Sequence, residues 1–214
     1  MPPINRNYFA RQCLAIGTFV ILLSCSPFGS VGSPGINTWK GYSTEQKTQS
    51  LVGFVHCYRT ALSSKNAFAQ TDLETVIRIV DAALTENKDQ SAIGDLILDA
   101  LKKAPRAKPD KYAEHWQGPY GFTDGMWWRG ADDRNRQAYV QGAFWCAETA
   151  SGRAIGVFEK SVPATVQKLN DWYLVSDEDW KDPRSGKRAD VSVLSAMQQV
   201  GIISKVHAEA ATKP

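Results

Sequence analysis

No stretch of the 214-residue sequence reaches the roughly 20 consecutive apolar residues that a membrane-spanning helix needs. The most apolar run, Leu14 to Leu23, is about half that length. Histidine is scarce, with three residues, and so is cysteine, with four. The sequence contains no nucleophile elbow, phosphate-binding loop, dinucleotide fingerprint or zinc-protease helix, so the common motif-bearing enzyme classes have no foothold in it. An excess of charge is also missing. The formal net charge is +3, and no Lys/Arg stripe runs along the chain, which argues against nucleic acid as a partner. Apart from Ile155 to Phe158, which is read as a short extended piece, no segment alternates apolar and polar residues as a half-buried strand does.

What is present begins with an N-terminus unlike the rest. Arg6 and Arg11 precede the apolar run without an acid nearby, and Ser24 and Cys25 follow it. Residues 1–24 are therefore expected to be a signal peptide. Leu22-Leu23-Ser24-Cys25 resembles the bacterial lipobox, which implies lipidation of Cys25 after cleavage. The small residues Ser30-Val31-Gly32 allow ordinary cleavage instead, and with it a soluble periplasmic protein. Residues 25–38, rich in Ser, Pro and Gly, read as a flexible tether. Taking the two signal-peptide arginines from the 25 basic residues leaves 23 against 22 acidic ones, so the mature part is almost neutral.

The remainder repeats itself. A shift of 89 residues places Trp39 on Trp128, Gly41 on Gly130, Lys47 on Arg136, Gly53 on Gly142, Cys57 on Cys146 and Thr60 on Thr149 without a gap. Each copy, 39–104 and 128–207, reads as three helices. In the first copy Ser43 caps a helix carrying Leu51, Val55, Tyr58 and Leu62 on one face. Thr71 and Glu74 have the capping-box spacing ahead of Leu73, Val76, Ile77, Val80 and Leu84. A third stripe, Ile93, Leu96, Ile97, Ala100 and Leu101, stops before Pro105. In the second copy the first helix starts near Asp132, and Val193, Leu194, Met197 and Val200 form the third after a loop at 182–186. The fold class is all-α, with a duplicated three-helix unit packed as one pseudo-twofold domain and a tail at 208–214.

Gly53 and Cys57 lie one helical turn apart, as do Gly142 and Cys146. If the two helices cross at the glycines the sulfurs meet, so a Cys57–Cys146 disulfide is expected, against the alternative of two buried free thiols. A metal site is disfavoured, because His56 adjoins Cys57 and points to another helical face, and nothing calls for a cofactor. His56 aligns with Trp145, which suits a packing role, and His207 falls in the polar end of the chain.

The segment 105–127 is the most aromatic of the chain, although linkers are usually polar. It either fills the seam between the copies or presents His115, Trp116, Tyr120, Trp127 and Arg129 as a platform for a glycan or a partner protein. Glu114 and Asp124 could flank such a groove as an acid/base pair. Glu148 and the acids at 177–179 carry no comparable signal, the latter lacking the alternation and distal Glu of a calcium loop.

Residues 47–104, through Val52-Gly53-Phe54 in one helix, then Thr71 to Leu84, then Leu96 to Leu101, resemble the periplasmic immunity proteins that block type VI secretion amidase effectors. That family carries several cysteines around these helices, whereas this unit has only Cys57, and the duplication is a further departure. The resemblance implies a small helical envelope protein, non-catalytic, that binds an as yet unidentified envelope protein. The alternatives are a glycan- or small-molecule-binding module on the aromatic segment and a peptidoglycan-acting hydrolase.

Overall fold

In the computed structural model of the chain, the residues described are 34–61, 68, 71–86, 92–106, 124–150, 155–157, 161–174, 188 and 191–205. Residues 1–24, read above as a signal peptide, Cys25, the stretch 182–186 and most of the aromatic segment, including Glu114, His115, Trp116 and Tyr120, lie outside them, as do His207 and residues 208–214. Among the described residues the protein is helical: α1 Pro34–Gly41, α2 Thr44–Ala61, α3 Leu73–Thr85, α4 Ile93–Lys103, α5 Gly125–Gly130, α6 Asp133–Ala150, α7 Val162–Tyr173 and α8 Val193–Gln199. The strands β1 Ile155–Val157 and β2 Ile203–Lys205 complete the described elements. None of these helices is long and apolar enough to cross a membrane.

Helix starts follow the capping chemistry. At α2, Ser43 Oγ accepts from Gln46 N (3.2 Å) while Ser43 N donates to Gln46 Oε1 (3.0 Å), a reciprocal capping box. At α6, Asp132 Oδ1 accepts from Asn135 N at 2.8 Å. At α3 the cap is Asp72 and not Thr71, because the Asp72 carboxylate accepts from Glu74 N and Thr75 N. Thr71 is buried and engaged elsewhere, in a bridge to Arg106.

Two expectations are corrected by α1 and α5. Helix α1 begins at Pro34, inside the stretch read as tether, and α5 begins at Gly125, inside the stretch read as linker. Each is a short helix that carries a fully buried tryptophan, Trp39 or Trp128, so among the described residues each unit shows four helices where three were expected. Such helices span only two turns, too short for a periodic stripe to register.

Each unit is also clasped by extended backbone. In the second, β1 pairs antiparallel with β2, Ile155 facing Lys205 and Val157 facing Ile203. In the first, Thr71 bridges Arg106 antiparallel, and Asp72 N donates to Pro105 O at 3.0 Å. Both clasps join the segment after a unit's long helix to the segment after its last helix.

The dominant contact is α2 against α6. Asn135 Nδ2 donates to Glu45 Oε1 (2.9 Å) near the start of both helices, and Cys57 meets Cys146 towards the end of both, so the two run parallel. Between those points a Cβ on Gly53 would overlap the carbonyl of Tyr139, and a Cβ on Gly142 would overlap the carbonyl of Ser50. Ser50 and Tyr139 are themselves 89 residues apart, so the contact is exchanged reciprocally. The hydrogen that each glycine carries in place of Cβ points at the facing carbonyl, the arrangement of small-residue helix crossings. One continuous hydrophobic cluster, from Ile36 to Ile203, draws on both units.

Candidate functional site

Three groups of side chains carry chemistry among the described residues. The first is a tryptophan node present once in each unit. Trp39 Nε1 donates to Asp81 Oδ1 at 2.8 Å, and Lys47 Nζ reaches both oxygens of Asp81 at 2.9 Å while lying over the Trp39 ring at 5.5 Å. In the second unit Trp128 Nε1 donates to Asn170 Oδ1 at 2.9 Å, and Arg136 lies over the Trp128 ring at 5.6 Å. Arg136 is buried, and its guanidinium is spread over the Trp128 carbonyl (2.8 Å), Asp133 (2.9 Å) and Asn170 (3.4 Å). Asp81 and Asn170 are again 89 apart, and sequence reasoning missed them. Their isosteric side chains in matching register were the available signal. These groups are committed to one another, and the node anchors each short helix to the helix two elements on.

The second group is the cysteine pair. Cys57 and Cys146 are buried and in side-chain contact, as the crossing at Gly53 and Gly142 requires. The disulfide expected between them is not formed in this structure; both are free thiols. Burial, with a smaller contribution from Cys57, pushes the Cys146 thiol well above its usual range, so it is held protonated and can share a sulfur hydrogen bond with its neighbour. One residue earlier, His56 and Trp145 diverge. Trp145 is buried against Trp39 (6.2 Å between rings) and Tyr42 (6.3 Å), whereas His56 turns its Nδ1 to the Tyr139 hydroxyl at 3.3 Å. Burial, and secondarily the Arg59 charge, pulls the His56 imidazole down to about 3, so it stays neutral. Both positions serve packing, as their alignment implies. No grouping of three or more His, Cys, Asp or Glu that could hold a metal ion occurs among the described residues.

The third group lies at the entry to the second unit, where the aromatic segment ends. Asp124, considered above as one of an acid/base pair, is buried and caps α5 by accepting from Trp127 N at 3.0 Å. Trp127 is half-buried, its ring set 6.0 Å from Trp128 and 5.4 Å from Tyr139. A Cβ on Gly125 would press into the ring of Tyr173, whose hydroxyl donates to Val191 O at 2.8 Å. Burial, aided by Tyr139 and Asp124, raises the Tyr173 phenol far above its ordinary range. Next to Gly125 stands Met126, 49% exposed, and next to Tyr173 stands Leu174, 42% exposed. These are the large hydrophobic side chains left exposed among the described residues. Beside them Trp172 is packed edge-on to Tyr173 (4.6 Å) under the Arg188 guanidinium (5.2 Å). Of the five candidate binding residues, Trp127 and Arg129 are therefore placed, both on α5, and His115, Trp116 and Tyr120 fall outside the described residues.

Compared with protein-family models, curated proteins and solved structures, the chain finds no match.

Proposed function

We propose that this is a non-catalytic protein of the cell envelope, lipid-anchored at Cys25 or free in the periplasm, that works by binding another protein, as an immunity protein does. The observation that carries the proposal is the place of the exposed apolar side chains. Met126 and Leu174 each adjoin one member of the Gly125–Tyr173 contact, so they lie in one neighbourhood, at the point where the most aromatic stretch of the sequence enters the second unit. Exposed large hydrophobics gathered beside aromatic and Arg side chains are the composition of a protein-binding hot spot. The polar groups of the tryptophan nodes are spent on the fold, and Asp124 on a helix cap, which takes from the hydrolase alternative one of its two carboxylates.

The test is capture from an envelope extract of the source cells, using the mature protein with a photo-crosslinking residue at Met126. One protein crosslinked at that position in stoichiometric amount, and lost when Met126 and Leu174 are both replaced by Asp with the circular dichroism spectrum unchanged, is the expected result. Capture that ignores those two substitutions overturns it. The glycan-binding alternative draws support from Trp127, a partly exposed ring fixed by two aromatic neighbours. It expects Trp127→Ala to abolish retention of glycan fragments from the same extract.

A further inference from the structure

We propose that Cys57 and Cys146 are joined by a disulfide when the chain folds in the presence of a disulfide donor, and that this bond fastens the two helical units across their parallel crossing. The inference is independent of the partner-binding proposal. It rests on three features of the α2–α6 contact. The reciprocal seats of Gly53 on the Tyr139 carbonyl and Gly142 on the Ser50 carbonyl bring the two backbones so close that neither position has room for a Cβ. One turn beyond, both helices present a cysteine to the same point of the seam, and the two thiols are in contact. The chain directions agree at both ends of the contact, so the two cysteines occupy matching places on the parallel helices.

The chemistry is two successive thiol–disulfide exchanges. One cysteine thiolate attacks a sulfur of the donor disulfide, forming a mixed disulfide and releasing one donor thiolate. The second cysteine thiolate attacks the protein sulfur of that mixed disulfide, forming the Cys57–Cys146 bond and releasing the other donor thiolate. The two cysteine protons leave with the two donor thiols. The protein pair loses two electrons and the donor gains them. Because both sulfurs are buried and Cys146 is held protonated in the folded protein, attack is slow once α2 and α6 have closed over them. The bond is therefore made during folding, while the thiols are still within reach of the donor.

The experiment uses the full chain, unfolded in urea with reductant and refolded by dilution into a glutathione buffer rich in glutathione disulfide, then alkylated and digested with trypsin without reduction. The expected product is the peptide of residues 48–59 linked to that of residues 137–153, two hydrogens lighter than the sum of the free peptides. Recovery of both peptides alkylated, or linked to Cys13 or Cys25, overturns the proposal. A second measurement reads the consequence. The oxidised protein should unfold at higher urea than the same protein with reductant. The chain-entropy effect of closing so long a loop is on the order of a hundredfold to a thousandfold in the unfolding equilibrium. That difference should vanish in the Cys57→Ala/Cys146→Ala double variant, and equal midpoints with and without reductant in the parent chain would show that the pair fastens nothing.

Discussion

At the scale of single residues, the two glycines of the crossing oppose helix propensity, which favours Ala over Gly in a helix interior by about 1 kcal/mol. At Gly53 and Gly142 that gain is outweighed, because the added methyl would have to displace a backbone carbonyl of the facing helix, and backbone cannot rotate out of the way as a side chain can. Overpacking of this kind costs about 1–3 kcal/mol, so Gly53→Ala and Gly142→Ala are each expected to lower the urea midpoint. A rise in midpoint for either would mean that the helices do not meet there. The tryptophan node separates two effects at Asp81. Asp81→Asn keeps an acceptor for Trp39 Nε1 and loses only a half-exposed ion pair with Lys47, a change of at most about 1 kcal/mol. Asp81→Ala leaves the indole N–H of a fully buried ring unpaired, at about 1–3 kcal/mol. Equal losses in the two variants would show that the ion pair, and not the indole hydrogen bond, holds α1. His56 makes the fold acid-sensitive. Its folded pKa, about 3, lies below the unfolded value of 6.5, so below pH 6.5 the unfolded chain takes up a proton that the folded chain refuses. Stability from this source is complete above about pH 6.5 and declines as the pH falls towards 3. Urea midpoints measured from pH 7 to pH 4 should fall less steeply in His56→Phe than in the parent chain, and parallel slopes would assign the acid loss to other groups.

At the scale of elements, what was legible in the sequence and what was not divides along a physical line. Amphipathic stripes fix α3 and α4 because burial on one face repeats over about three turns, α2, buried on every side from Gln49 to Val55, was legible from its Ser43 cap, and the 89-residue register carries these readings to α6 and α7. The elements that escaped are those whose existence depends on partners far along the chain. The α1 and α5 helices are held by Trp39 on Asp81 and Trp128 on Asn170, and β2 by pairing with β1 across the third and fourth helices of its unit. No local pattern of so few residues can announce such a contact. The seam of Gly53, Cys57, Gly142 and Cys146 was readable because it combines local spacing with a repeat, whereas the exposure of Met126 and Leu174 had no sequence signal at all. Ser43 and Asp132 offer a test of how alike the two long helices are. Each side chain satisfies a first-turn N–H of a helix 18 residues long, so Ser43→Ala and Asp132→Ala are each expected to cost about 1 kcal/mol. Thermal unfolding of both variants would show whether the two costs match. A loss confined to one of them would mean that one long helix is fixed by its packing and not by its cap.

At the scale of the whole molecule, neither unit owns its core. The face of α2 that a lone first unit would have to cover is the face that α6 covers, and one hydrophobic cluster runs from Ile36 through Trp39, Cys57, Trp128, Cys146 and Tyr173 to Ile203. The first unit's α4 also reaches across, since Gly94 sits against the Trp145 carbonyl and the Thr149 hydroxyl of α6. A unit of this size buries only about 60% of the surface its unfolded chain exposes and is marginal at best by itself. Unfolding should therefore be a single transition in which secondary structure and tryptophan burial are lost together. Trp39 and Trp145 report on the α1–α6 contact and Trp128 on the α5–α7 contact, while the helices dominate the far-ultraviolet circular dichroism. Urea curves followed by fluorescence and by circular dichroism should superimpose with one midpoint. The segment 34–106 expressed alone should lack a cooperative transition, because α2 would present to water the stripe that α6 now occupies. Curves that separate into two midpoints, or a first unit that melts cooperatively by itself, would make the molecule two independent domains. The α2–α6 seam would then be an interface of convenience and no longer the centre of the fold.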